Sequence, residues 1–245
     1  MTTKGLTACK SSVTAQRGLP CTAPRAPPYD RDVTHSTIED QVRTDAATGT
    51  FDDWGLSTVI DENIDAPVIP RGDFERLHGL AALDADWPIG NAGLLHSYGY
   101  LLSTVQTPYG LKRDRWLDGA LARTLGLPAD GFLPTGRGTL LARLTAAVLP
   151  RLVNPPSDAL MLLDQESPDG TAHVRTVVVG TPEAAAVLYG VREDGRMRAI
   201  TAFPLGAATA SFCRSLVEQP PRLRYNAATA ALSPRSPLAP SLRTQ

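Results

Sequence analysis

The final third of the chain imposes the tightest constraint on what it can fold into. Four runs, DALMLLDQE, TAHVRTVVVG, AAAVLYGVRE and MRAITAFPLG, are strand-like in their β-branched and aliphatic content, and SPDG, TPE and DG separate them. Breaks this short turn a strand back beside its neighbour, so the four runs predict an antiparallel meander. The preceding sequence supplies helices to cover it. LDGALARTLGL and GTLLARLTAAVLPRLV carry apolar residues at three- and four-residue intervals, with Gly126, Pro128 and Pro155 punctuating their ends. GDFERLHGLAAL has the spacing of a short helix beginning after Gly72, with Asp73 and Glu75 near the end where the helix dipole favours negative charge. ATASFCRSLVE reads as a closing helix. Helices early and strands late, without regular alternation, predict an α+β fold in which helices pack on an antiparallel sheet in a single domain.

The ends read differently. Residues 1–45 are rich in Thr, Ser, Ala, Pro and isolated charges, and show neither helical nor strand period, which predicts a disordered arm; residues 226–245 predict a disordered tail. The body is expected to span 46–225, within the range of one domain. A hydrophobic content of 42% is enough for a core, and a formal net charge of -1 gives no electrostatic footprint for nucleic acid or an anionic membrane. Cys9, Cys21 and Cys213 offer no disulfide framework, no apolar run approaches the length of a membrane span, and the N-terminus lacks the apolar stretch of a secretory signal. A cytoplasmic protein is expected.

Familiar chemical signatures are missing from the sequence. GRGTLLAR lacks the lysine of a phosphate loop, and GNAG does not follow a convincing strand of a nucleotide-binding unit, so no nucleotide cofactor is expected. His35, His78, His96 and His173 are scattered, and a metal site would have to be assembled from distant segments. No glycine stands two residues either side of a serine in the pattern of a nucleophile elbow.

One stretch concentrates polar chemistry among core-type residues: LLHSYGYLLSTVQTPYGLKRDRW, Leu94 to Trp116. Read as a strand from Tyr98 to Gln106, it places Tyr98, Tyr100, Leu102, Thr104 and Gln106 on one face. TPYG is a turn signal, and LKRDRW pairs back as the second strand of a hairpin, bringing Lys112, Arg113, Asp114, Arg115 and Trp116 close by. A helix from Leu94 to Val105 is the competing reading. Aromatic walls with polar ends, and an arginine fork such as Arg113, suit a pocket for an aromatic amino acid whose carboxylate is clamped bidentately. The same residues also fit plain packing: tyrosines and Trp116 in the core, KRDR as a solvated hairpin edge, and His96 as a hydrogen-bonded core histidine. Trp54 and Trp87 are expected to plug the core. Arg71, Glu75, Arg76 and His78 fit a surface helix equally well.

The residues GLLHSYGYLLSTVQTPYGLKRDRW resemble a segment of the bacterial Pictet-Spengler cyclases, which build β-carboline scaffolds in secondary metabolism from tryptophan and an α-keto aldehyde. The resemblance covers about two dozen residues plus the helix-then-sheet order. It implies a cofactor-free homodimer whose site uses an arginine, a histidine and, ten positions after the histidine, a glutamate acting as acid and base. His96 fits the histidine, Arg71 or Arg76 the arginine, and Gln106 stands where the glutamate belongs. A glutamine amide cannot exchange protons near neutral pH. Either Gln106 preserves only the shape of the site, or His96 or Asp114 carries the proton traffic. The expected site therefore comprises His96, Gln106 and Arg76 as catalytic groups, with Arg71, Tyr98, Tyr100, Thr104, Arg113 and Trp116 binding an aromatic amino acid and an aldehyde; no metal or cofactor is expected.

Two other function classes stay open. The hairpin VLYGVREDGRMRAITAFPLG looks like the closing hairpin of small ribonuclease-type toxins, with Arg192, Arg196, Arg198 and Thr201 as phosphate contacts, although the near-neutral charge opposes this. A non-catalytic amino-acid-binding relative of the cyclases is the third.

Overall fold

The computed structural model describes residues 31–166, 170, 173–206 and 210–218. Helix α1 (Arg31–Thr48) leads through one 3-10 turn (Thr50–Asp53) into three short strands, β1 (Leu56–Thr58), β2 (Ile60–Asp61) and β3 (Ala66–Pro67). Helix α2 (Arg71–Ala81) and strand β4 (Ile89–Asn91) follow. A π-helical segment, Leu94–Gly99, then runs directly into one α-helical turn, α3 (Tyr100–Leu102), and on to the hairpin β5 (Gln106–Thr107) and β6 (Gly110–Leu111). Helices α4 (Asp114–Leu117), α5 (Ala120–Thr124) and α6 (Leu140–Val153) precede strands β7 (Met161–Glu166), β8 (His173–Gly180), β9 (Ala185–Glu193) and β10 (Arg196–Leu205), and α7 (Ala210–Glu218) closes the described chain.

The four long strands form the expected meander, in the order β10-β9-β8-β7 with every neighbour antiparallel. Together with the helices this is an α+β fold. Both faces of the sheet are covered, and the register shows how. Val177, Leu188 and Ala202 pair across adjacent strands and join the main core with α6. Their immediate neighbours Val178, Val187 and Phe203 point the other way, as strand alternation requires, and pack with Leu216 and Phe212 of α7. Helix α6 begins at a capping threonine, Thr139, whose hydroxyl accepts a hydrogen bond from the Ala142 amide at 3.1 Å. No helix among the described residues is long and apolar enough to cross a membrane.

The structure corrects several expectations. Residues 31–45, read as part of a disordered arm, belong to α1, whose Ile38, Gln41, Val42 and Asp45 are buried. That is a helical stripe at intervals of three and four, concealed in the sequence because two of its four members are polar. Gln41 spans the gap to the loop before α6, donating to the Pro134 carbonyl at 2.7 Å and accepting from the Leu140 amide at 2.6 Å. Residues 1–30, the tail 226–245 and the last residues of the expected body lie outside the described residues.

The strand expected from Tyr98 to Gln106 is helical as far as Leu102, so the competing helix reading holds for most of its length. Every residue from Leu94 to Gly99 is buried, and a helix buried on all sides carries no 3.6-residue period to detect. Its glycines allow the close approach of neighbours: a side chain at Gly93 would overlap the Trp54 ring, and one at Gly99 would overlap Ile69. The expected TPYG turn forms, but the strand after it is only Gly110–Leu111 before α4 begins. DWPIGNAG, read as a loop, contains β4 paired with β1. Gly90 is required there because a side chain would run into His78, which donates from Nδ1 to the Phe74 carbonyl and accepts the Asn91 amide at Nε2. Trp54 is buried and donates to Thr145 at 2.8 Å, while Trp87 is partly buried, edge-on to Phe74.

Candidate functional site

Strand β10 is an edge of the sheet, and Thr201, Phe203, Pro204 and Leu205 at its end line a cavity. This cavity, of about 540 Å³, opens between this edge, helix α7, the β2–β3 turn, the helix carrying His96 and Tyr100, and the segment from Thr107 to Asp118. The volume suits a ligand of amino-acid size or somewhat larger. Phe203, Phe212, Leu205 and Leu216 give it an apolar side. Tyr100, His96, Lys112, Arg115 and Asp61 give it a polar side.

The polar side is built around the Tyr100 ring. His96 stacks on it at 4.8 Å between centroids with the planes 21° apart. The Arg115 guanidinium lies 5.1 Å from the same ring centroid and 5.6 Å from that of Phe203, and the Lys112 ammonium lies 5.5 Å from Tyr100. Such cation–ring contacts hold two like charges at one wall. Lys112 is balanced by Asp61, at 2.5 Å between Nζ and Oδ2. Arg115 is not balanced: it donates from Nη1 to the Thr201 hydroxyl at 3.1 Å and, among the described residues, forms no ion pair with a carboxylate. Removal from water lowers its pKa, partly offset by the neighbouring Tyr100 and Asp61, yet a guanidinium remains cationic at any physiological pH. A cation in an open cavity without an acidic partner is a site for an anion.

His96 is the second unusual group. It is 3% exposed, its Nε2 lies 2.9 Å from the Ser57 hydroxyl of β1, and its Nδ1 has no hydrogen-bond partner among the described residues. Burial, then the charges of Arg115 and Lys112, hold its pKa well below the ordinary value, so the imidazole is neutral at pH 7. Burial likewise pushes the Tyr100 phenol up to about 12, and it stays protonated. Asp61 is raised by burial but lowered more by the Lys112 contact and by Asn63, whose amide and side-chain nitrogens donate to Oδ1 at 2.9 and 3.1 Å; it is a carboxylate.

Of the residues expected from the sequence, the cavity receives His96 and Tyr100, with Asp114 among the lining residues. Tyr98 points into the core and donates to Asp45 at 2.5 Å. Trp116 is 1% exposed and packs edge-on against Phe132. Thr104 and Gln106 are exposed and do not line the cavity, so the expected pairing of His96 with Gln106 is not formed. Arg113 precedes α4 and does not line the cavity either. Arg76 is held by Glu39 at 2.5 Å and Asp73 at 3.1 Å, tying α2 to α1, and Arg71 pairs with Glu75 on the exposed face of α2. The tyrosines separate because a helix turns alternate residues to different neighbours, where a strand would have aligned them.

The sequence places Lys112 and Arg115 beside the expected pocket without giving either a role of its own, and it does not point to Asp61, Ser57 or Phe203 as site residues. Lys112 and Arg115 stand three apart entering α4, a spacing that brings them to one side only once the segment is known to turn helical there. Nothing local marks Asp61 or Ser57, which arrive through the fold. The arginines of the effector reading do not make a common patch: Arg196 pairs with Asp53 and Arg198 with Glu193, each at 2.5 Å, while Thr201 faces the cavity and Arg192 is exposed on β9. Among the described residues no three of His, Cys, Asp and Glu are grouped to hold a metal ion. Comparison of the chain with known protein families, characterised proteins and solved structures gave no match in any of the three.

Proposed function

We propose that the cavity is the active site of a cofactor-independent enzyme that takes a small aromatic carboxylate of the class of L-tryptophan and condenses its amine with an aldehyde, closing a β-carboline ring. The observation that carries this reading is the Arg115 guanidinium, in ion-pair contact with no carboxylate among the described residues and set with the neutral His96 at the wall of an aromatic-lined cavity. The substrate carboxylate takes the place opposite Arg115, where two parallel N–H bonds suit it. The indole lies among Phe203, Phe212 and Leu205. Condensation of amine and aldehyde releases water and leaves an iminium; attack by the indole carbon then requires that carbon to lose a proton. With Nε2–H donating to Ser57, His96 holds a lone pair on Nδ1 that accepts this proton. Gln106 has no part in this scheme. A homodimer, a cytoplasmic location and a place in secondary metabolism belong to the same reading.

Calorimetric titration with L-tryptophan, followed by incubation with tryptophan and methylglyoxal and mass analysis for the tetrahydro-β-carboline, tests it. Binding with product above the uncatalysed background supports the reading. Binding without product identifies a non-catalytic amino-acid-binding protein, and neither removes the assignment.

A further inference from the structure

The chain has three lysines, Lys4, Lys10 and Lys112, and only Lys112 falls among the described residues, where every other strongly basic side chain is an arginine. That single amine is also the one placed in the cavity. Its side chain is 15% exposed, its Nζ lies 2.5 Å from Asp61 Oδ2, and it shares the Tyr100 ring with Arg115. Asp61 is itself fixed, with Oδ1 occupied by both nitrogens of Asn63 and Oδ2 left to the lysine. A partly buried lysine beside another cation and in contact with a positioned carboxylate has what a Schiff-base lysine needs.

We propose that Lys112 is a covalent catalytic residue that captures the carbonyl substrate as an imine, with Asp61 exchanging the protons. This deepens the proposed condensation and rests on it for the identity of the incoming amine, but capture of an aldehyde by Lys112 stands alone. The Lys112 ammonium passes a proton to Asp61 Oδ2, and the free amine attacks the aldehyde carbon. The new C–N bond forms as the carbonyl oxygen takes up a proton from the nitrogen. Asp61 returns its proton to the resulting hydroxyl, which leaves as water, and the protonated imine remains on Lys112. The amine of the second substrate then adds to the imine carbon and passes a proton to the Lys112 nitrogen, the bond to Lys112 breaks, and the lysine leaves as a neutral amine. The net change is Lys112 ammonium plus amine plus aldehyde to neutral lysine plus iminium plus water, with no redox step, and the lysine regains its proton from water. Burial and the Arg115 charge lower the Lys112 pKa against the opposing pull of Asp61, which enlarges the nucleophilic fraction at neutral pH.

Reductive trapping reads this directly. The full-length protein at pH 7 is incubated with glyoxylate or benzaldehyde and cyanoborohydride, without any amino acid, and the adduct is located by peptide mass mapping. Lys112, whose burial and neighbouring Arg115 leave more of it as free amine, is expected to be labelled several times faster than Lys4 and Lys10 with at least one aldehyde. Labelling of Lys112 no faster than of the other two lysines with both aldehydes overturns the proposal. Lys112→Arg keeps the cation at the Tyr100 wall and is expected to lose the cavity adduct while retaining tryptophan binding. Trapping that fails in protein that binds tryptophan removes the covalent step alone, whereas trapping in protein that binds no amino acid leaves Lys112 assigned and removes the tryptophan reading.

Discussion

The Nε2 atom of His96 lies 2.9 Å from the Ser57 hydroxyl, and the other ring nitrogen has no partner among the described residues. A buried polar atom without a partner is unfavourable by about 1–3 kcal/mol, a penalty that folding tolerates where a ligand completes the pairing. The imidazole is thus oriented by one nitrogen, while the other is buried without a hydrogen bond among the described residues.

This geometry gives a pH dependence of stability. His96 binds its proton more weakly in the fold than in the unfolded chain, where its pKa is near 6.5, and His78 is lowered in the same direction by burial against its bond to Phe74. Above about pH 6.5 both are neutral in either state, and their full contribution to stability is present. As pH falls from 6.5 toward the folded pKa values, the unfolded chain takes up protons that the fold refuses, and stability falls by up to about 1.4 kcal/mol per pH unit for each histidine. Urea denaturation at pH 7.5, 6.5 and 5.5 measures the slope, and His96→Gln is expected to flatten it; an unchanged slope in that variant places the imidazole in water.

Arg115→Leu keeps much of the side-chain volume and removes the charge. Loss of one partner from a desolvated charge pair costs about 2–5 kcal/mol, so tryptophan affinity is expected to fall by about 30-fold or more. Arg113→Ala and Arg76→Ala, whose guanidinium groups lie outside the cavity, are expected to leave affinity within about twofold, a change of under 0.5 kcal/mol. Calorimetric titration separates the three variants, and equal loss in all of them would point to a diffuse electrostatic effect instead of a clamp.

Gln106→Glu tests the arrangement implied by the family resemblance. Were Gln106 the degenerate remnant of a proton-transferring glutamate, restoring the carboxyl would raise turnover by a factor of about 10²–10⁴. Gln106 is exposed on β5 and does not line the cavity, so turnover is expected to stay within about twofold, the range of surface substitutions away from a site. A large gain would show that β5 moves inward when substrate binds.

The meander was legible because its turns and β-branched runs act locally, and each strand shows its period within its own residues. The region from Leu94 to Trp116 was legible only as a place. His96 and Tyr100 line the cavity, but the two-residue period that groups Tyr98, Thr104 and Gln106 with them is one the helix does not have. The site residues contributed by β1 and β2, Ser57 and Asp61, are brought in across 39 residues to His96 and 51 to Lys112, and no local pattern encodes contacts of that span. Arg113 and Arg115 are indistinguishable for the same reason: on a hairpin strand either faces inward, and the onset of α4 decides between them.

The buried polar stripe of α1 has its own consequence. Asp45 is fully buried and accepts from Tyr98 at 2.5 Å and from Thr139 at 2.6 Å, so one carboxylate joins α1, the helix that carries His96, and the cap of α6. Burial raises its pKa despite these bonds, and the Tyr98 phenol is raised by burial and by the Asp45 charge. Tyr98→Phe removes one donor from a carboxylate with no access to water and leaves the ring in place. The expected loss is about 1–3 kcal/mol, with tryptophan affinity unchanged because Tyr98 does not line the cavity. Thr139→Ala removes both a donor to Asp45 and the α6 cap, a further source of about 1 kcal/mol, and is expected to destabilise more. Because both variants act on the same carboxylate, their combined effect should fall short of the sum. Strict additivity in the double variant would show that Tyr98 and Thr139 stabilise the fold independently, and that Asp45 does not couple the three helices.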